Sequence, residues 1–264
     1  MTSLIEYSVE GFTATVTLTN PDRRNALSLN MFRELSEVLS ELEKSTEVRA
    51  VVLTGSGSAF CVGADLAAPP EQRSLQGVSI AGDISRLRAS AHVAEQLYRM
   101  PQPTVAAING ACAGAGFSLA AAADFRIASD TAVFSTAFLN AGVSGDLAGI
   151  WFVDKILGGA RTRELFMTPD KFDADRALEI GLVTGVAPAT MLAEAARELA
   201  DRLANSAPVA MRAMKQNVIQ AQTSSLGDYI DAEVERMVRS FHTADAKEAT
   251  AAFLEKRPPV FEGR

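Results

Sequence analysis

The sequence predicts an α/β fold with an α-helical extension at its C-terminal end, on three observations. Short apolar runs of strand length, such as "RAVVLTG" (49–55) and "TVAAI" (104–108), alternate with longer amphipathic segments. Beyond about residue 148 the pattern becomes mostly helical. The 264 residues are 48% hydrophobic and 22% charged, enough for one large domain, or one domain plus an extension, with no low-complexity linker. The division falls between a core of residues 1–190 and a helical region of residues 191–264.

Taken in order, residues 3–9 and 12–19 pair as strands around Glu10-Gly11, with Val16 and Leu18 alternating against threonines. "NPDRRNAL" (20–27) is a loop of turn residues. Ser28 caps a helix carrying Phe32, Leu35, Leu39 and Leu42 on one face. Residues 49–55 form a buried strand, and "SGSAFCVGAD" (56–65) is a small-residue loop. Pro69-Pro70 and polar neighbours make 66–82 a mobile flap or an irregular connection, and a helix over 83–99 ends before Pro101 and Pro103. Residues 104–108 are another buried strand. "INGACAGAGFSLAAAADF" (108–125) follows, rich in Gly and Ala and without Lys, Arg, His or Glu. Backbone so bare lets main chain approach something closely. "FRIAS" (125–129) and "AVFST" (132–136) read as strands, "GLVTGVA" (181–187) interrupts the helices, and charged amphipathic helices run over about 190–255.

A net charge of -7 argues against general binding to nucleic acid or an anionic membrane, while leaving room for a local basic pocket. The first twenty residues alternate like a strand and lack a basic segment followed by an apolar one, so no signal peptide is expected. No apolar run approaches membrane-spanning length. The two cysteines, Cys61 and Cys112, suit a reducing cytoplasm and belong to no Cys/His cluster; with only His92 and His242, a metal site is not expected.

Three stretches in order, "NPDRRNAL" (20–27), "GSGSAFCVGADL" (55–66) and "INGACAGAGFSLAAAADFRIAS" (108–129), resemble the enoyl-CoA hydratase/isomerase (crotonase) superfamily. The resemblance continues through "GARTRELFMT" (159–168), "ADRALEIGLVTGV" (174–186) and "FLEKRPPVF" (253–261), so it covers nearly the whole chain. It implies a spiral of ββα turns, a C-terminal helical region that forms trimers or pairs of trimers, and acyl-CoA thioester substrates, with coenzyme A present only as part of the substrate. It also implies that two backbone N–H groups, matching Ala64 and Ala115, receive the thioester oxygen as it becomes an enolate. Such pre-aimed donors are typically worth about 3 kcal/mol each, and a helix N-terminus adds about half a positive charge. On the same grounds Arg24, Ala26, Ala64, Asp65, Leu66 and Lys256 fall along the coenzyme A path, with Arg257 beside Lys256. The alternative for the glycines is close helix–sheet packing alone, and for the basic residues a solvated surface charge.

The resemblance also marks a departure. The positions where hydratases of the superfamily carry two water-activating glutamates hold Ser118 and Phe138, which cannot act as a pair of acid–base groups. Asp146, in "NAGVSGDLAG" (140–149), matches a position where isomerases of the superfamily carry Asp or Glu. One carboxylate suffices for an allylic shift, and burial against Phe138, Leu147 and Trp151 would raise its pKa usefully. The competing reading is that Asp146 caps the helix beginning near Leu147. A dehalogenase subgroup carries a nucleophilic Asp there with a His and a Trp; here the Trp position holds Phe138, and His92 stands one residue out of register. Asp65 is expected to order the first loop rather than to react.

Other classes fit less well. "GFSLA" (116–120) resembles a nucleophile elbow, but Ser118 would need a His base within reach, and His242, in the last helices, is a poor candidate. "GACAGAG" (110–116) does not follow the dinucleotide fingerprint. The expected function is acyl-CoA enolate chemistry with Asp146 as acid/base, most plausibly double-bond isomerisation. Hydration and a catalytically silent acyl-CoA-binding protein are the alternatives.

Overall fold

The computed structural model describes residues 3–264, so the first two residues of the expected core lie outside it. Its main sheet begins with a hairpin, β1 (Ile5–Glu10) antiparallel to β2 (Thr13–Leu18). Then β3 (Ala50–Gly55), β5 (Thr104–Ile108), β7 (Phe125–Ser129) and β10 (Gly185–Ala187) add in parallel, in the order β1-β2-β3-β5-β7-β10. A smaller sheet is built from β4 (Ala59–Cys61), β6 (Ala111–Ala113), β8 (Val133–Ser135) and the two-residue β9 (Phe172–Asp173).

The chain visits both sheets in each turn of a spiral. β3, β4 and α2 (Ile80–Arg99) make one ββα turn; β5, β6 and α3 (Ala115–Ala122) make the next; β7, β8 and α4 (Gly149–Met167) make a third. α4 breaks at Gly158, whose φ of 75° no helix accepts. Before the spiral, α1 (Leu29–Lys44) is capped by the Ser28 hydroxyl, which accepts from the Met31 N–H at 3.3 Å. Its Met31, Phe32, Leu35, Leu39 and Leu42 are buried.

Burial on both faces explains the near-continuous apolar strands. In β3, Val51 and Leu53 face the core shared with α1, α2 and α3, while Ala50 and Val52 face the opposite layer. That layer is α6 (Leu192–Ala204), which follows the short α5 (Ala174–Glu179) and packs Leu192, Ala196 and Ala200 beneath Val52, Val105 and Ile127. The boundary expected at 190/191 therefore precedes a helix that belongs by packing to the sheet. The chain leaves the sheet only at α7 (Pro208–Ala221), α8 (Leu226–Phe241) and α9 (Ala244–Glu255).

A buried ion pair joins that helical arm to the sheet. Lys215 of α7 places Nζ 2.7 Å from the Asp124 carboxylate and donates to the Gln102 carbonyl at 2.9 Å. Asp124 also accepts from the Thr104 N–H and hydroxyl at 2.8 and 2.9 Å. Burial pushes the Lys215 pKa down, opposed by Asp124. Farther out, α8 buries nothing and exposes Ile230, Val234, Met237 and Phe241 at helical spacing. Among the described residues no helix is long and apolar enough to cross a membrane.

Four elements differ from expectation. The loop expected at 56–65 contains β4, the Gly-rich stretch after β5 contains β6, and β9 falls in a stretch expected to be helical; all three are too short to show periodicity and exist through their pairing in the smaller sheet. α2 starts at Ile80 rather than 83, because the Ser79 hydroxyl caps it by accepting from the Gly82 N–H.

Candidate active site

Two loops meet where β4 and β6 end. The first is tied to residues 20–27, where Arg24 and Asn25 adopt left-handed backbone, with φ of 53° and 56°. Asn25 is fully buried, and its amide bonds three backbone groups: it donates to the Ser56 and Ala59 carbonyls at 2.9 and 2.7 Å and accepts from the Asn20 N–H at 2.9 Å. Asn tolerates this conformation better than most residues. The following Leu27 donates to the Gly63 carbonyl at 2.7 Å and accepts from the Asp65 N–H at 3.0 Å. These two bonds bracket Ala64 in a one-residue parallel bridge, so the Ala64 N–H turns the other way. Asp65 steadies the loop beyond: its Oδ1 accepts from the Ala67 N–H at 3.1 Å and lies 3.4 Å from the Arg23 guanidinium.

The second loop runs from β6 through Gly114 into α3. Ala115 is the first helical residue, so its N–H has no partner within the helix. All eight residues of α3 are buried, which their small size permits. The bare sequence of this stretch is a matter of contact between main chains. A Cβ at Gly116 would lie 2.2 Å from the Cys61 carbonyl oxygen. One at Gly63 would lie 3.2 Å from the Ala113 carbonyl oxygen and 3.3 Å from the Ala115 nitrogen. Side chains there would force the two loops apart.

Ala64, Ala115 and Asp146 line one cleft of about 70 Å³, together with Leu27, Phe32 and Leu87. Asp146 does not cap α4. The residue at the cap is Ala148, in left-handed backbone with no side-chain bond to the helix, and only the Asp146 carbonyl accepts from Gly149, at 3.0 Å. Leu147 and Ala148 follow the carboxylate with φ of 46° and 58°. The Asp146 Oδ1 is buried and has no hydrogen-bond partner. Burial raises its pKa to about 6. The apolar surroundings are not those expected from sequence. Trp151 packs edge-on against Tyr98 and Phe152, with centroids 5.4 and 5.3 Å away, and lines a separate cavity; Phe138 stacks on Phe166 at 6.2 Å. Only Leu147 adjoins Asp146 as anticipated; α1 and α2 contribute Phe32 and Leu87, and the connection between β4 and α2 contributes Leu66, Arg73, Ser74 and Leu75.

The other singled-out residues divide. Ala26 is buried in the first loop; Arg24 and Leu66 are exposed, Leu66 on the rim of the cleft. Lys256 ends α9 in left-handed backbone with its side chain exposed, outside the cleft lining. Its neighbour Arg257 is held by Glu248, with contacts of 2.5 and 2.9 Å that draw the Glu248 pKa down to about 2. Ser118 is completely buried; its hydroxyl donates to the Gly114 carbonyl at 3.4 Å and meets the backbone of Gly149. His92 is exposed near Glu95, and His242 ends α8 against Phe241, so neither attends Ser118. Burial drives the Cys61 thiol up to about 12 and the Cys112 thiol well above its usual value, which leaves both unreactive. Among the described residues no three His, Cys, Asp or Glu side chains gather as a metal site. Asn25 escaped sequence reasoning as the anchor of the first loop. Its only signal is an Asn, a residue that tolerates left-handed backbone, closing the turn-rich run "NPDRRN".

Parallel ββα turns over two sheets, with two Gly-rich loops and a buried carboxylate lining one cleft, describe an enzyme of mixed α/β fold. The chain belongs to the enoyl-CoA hydratase/isomerase family, whose model matches residues 9–264. It is 33% identical, over an aligned length of 266 residues and 100% of both chains, to 1,2-epoxyphenylacetyl-CoA isomerase of Escherichia coli (strain K12). It is also 33% identical to short-chain-enoyl-CoA hydratase of Clostridium acetobutylicum, covering 94% of this chain and 93% of that protein. Enoyl-CoA hydratase from Bacillus anthracis superposes with a TM-score of 0.92 at 30% identity, covering 99% of this chain and all of that one.

Proposed function

We propose that this chain shifts the double bond of an enoyl-CoA thioester, with Asp146 moving the proton and the Ala64 and Ala115 N–H groups holding the enolate oxygen. The observation that carries the proposal is the buried, unpartnered Asp146 oxygen in the same cleft as both loops. A carboxylate with no hydrogen bond to satisfy it and a pKa near 6 is a stronger base than an exposed one and is still ionised at neutral pH.

The steps balance on this one group. Ionised Asp146 removes a proton from C2 of a 3-enoyl thioester. The electron pair spreads to the thioester oxygen, which the two N–H groups and the N-terminus of α3 stabilise. Protonated Asp146 then gives the proton to C4, leaving a 2,3 double bond and the starting carboxylate. Hydration needs a group to hold and activate water, and neither Ser118, packed against Gly149, nor Phe138, stacked on Phe166, offers one.

Coenzyme A enters this reading as part of the substrate. Ala26, Asp65 and Leu66 flank the thioester and pantetheine, while Arg24 and Lys256 reach toward phosphate, Lys256 from its own or a neighbouring subunit. The exposed apolar stripe of α8 supports a homotrimer or a dimer of trimers.

The test uses the protein and its Asp146→Asn variant with a 3-enoyl-CoA and a 2-enoyl-CoA in D2O, with products followed by mass. Wild type is expected to isomerise and to carry solvent deuterium into C2 or C4; the variant should lose at least about a thousandfold. Hydration that survives in the variant overturns the proposal. Binding without any turnover leaves the silent binder.

A further inference from the structure

A second cavity adjoins the catalytic cleft at Asp146. Asp146 and Leu87 line the small cleft that holds Ala64 and Ala115, and both also line a second cavity on its far side. That cavity runs between α2 and the entry to α4, with Ile84, Leu87 and Ala91 on one wall and Leu147 and Ile150 on the other. Its volume is about 380 Å³, more than twice the roughly 150 Å³ that accommodates a benzene molecule. It opens to solvent, and its rim residues Ile84 and Ile150 are 64% and 46% exposed. The one cation along it, Arg88, is paired with Glu95 at 3.1 Å, so the groove offers no free charge to a second acid group.

We infer that the acyl chain passes Asp146 and continues along this groove, making the chain's substrates thioesters of long or bulky neutral acyl groups rather than four-carbon ones. The inference rests on the placement of the reacting carbons under Proposed function: with the thioester oxygen at Ala64 and Ala115 and C2 to C4 at Asp146, the groove that shares Asp146 and Leu87 with the cleft takes the carbons beyond C4. An apolar wall rewards each added methylene by up to roughly fourfold when it is fully buried. On an open groove, where one side of the chain stays wet, about half that is expected. A six-carbon extension then gives on the order of fiftyfold.

The test measures binding apart from turnover. Calorimetry with butyryl-, octanoyl- and decanoyl-CoA, each below its micelle concentration, is run on the wild type, Ala91→Trp and Ile84→Glu. Ala91→Trp fills the groove; Ile84→Glu puts a charge at its exposed rim and leaves the core intact. Affinity is expected to climb from four to ten carbons in the wild type, and both variants should cut the ten-to-four ratio about tenfold. Affinity that does not change with length overturns the inference, even if a four-carbon substrate is isomerised. A length dependence that neither variant alters also overturns it, because the chain then lies elsewhere. A length dependence that the variants abolish, in a protein that turns over no enoyl-CoA, supports the groove and counts only against isomerisation.

Discussion

Under the proposed chemistry, Asp146 carries opposite demands from stability and catalysis. Its folded pKa, about 6, stands above the ordinary Asp value of 3.8. Between about pH 4 and 6 the folded chain therefore binds more protons at this site than the unfolded chain. Its contribution to stability is complete below about pH 4, declines as pH rises to 6, and is gone above that. Asn in its place removes the cost of burying a charge. Asp146→Asn is expected to be more stable than wild type at pH 8 by about 2 kcal/mol, and to lose the decline between pH 4 and 6, by urea titration at several pH values. Activity runs the other way. A base must be ionised, so kcat/KM of the wild type for a 3-enoyl-CoA is expected to rise through about pH 6 and level off above it. The position of Asp146 was legible from "VSGDLAG", but its surroundings were not. Phe32 and Leu87 come from helices distant in sequence, and Trp151 turns away because α4 carries it toward Tyr98.

At the scale of elements, the two loops act as one device whose parts are main chain. Asn25 holds the first part, so Asn25→Ala should leave three backbone groups short of a partner and cost about 2 kcal/mol in thermal or urea unfolding. It should lower kcat for enoyl-CoA isomerisation more than it raises KM, since the Ala64 donor is displaced from the enolate more than from the ground state. Ser118→Glu tests the other loop. The site is closed by the backbone of Gly149, so the longer acid is expected to lower the melting temperature strongly without creating hydration of a 2-enoyl-CoA. Sequence reasoning located both loops and most long elements, because Gly-rich turns, the Ser28 cap and the apolar strands carry local signals. It missed β4, β6 and β9, whose two or three residues are strands only through their neighbours. It also placed α6 with the extension, since an amphipathic helix does not declare which surface it covers.

At the scale of the whole molecule, the arm of α7 to α9 is fastened by Lys215. Removing one partner of a buried pair is more damaging than the pair is stabilising, so Lys215→Ala is expected to cost about 3 kcal/mol, whereas Lys215→Met should cost less by refilling the volume. If the exposed stripe of α8 is a subunit interface, Met237→Glu with Phe241→Glu should convert the assembly to monomers in light scattering at unchanged helicity. The Lys215 tether also bears on how such subunits come together. Swinging the arm would pull the Lys215 ammonium away from the Asp124 carboxylate and the Gln102 carbonyl, so the tether holds the arm in place. If copies associate through α8, each would arrive as a preset shape and dock as a rigid block, without exchange of segments. In such an assembly the angle between neighbours would be set inside a single sheet, where β5 and β7 begin.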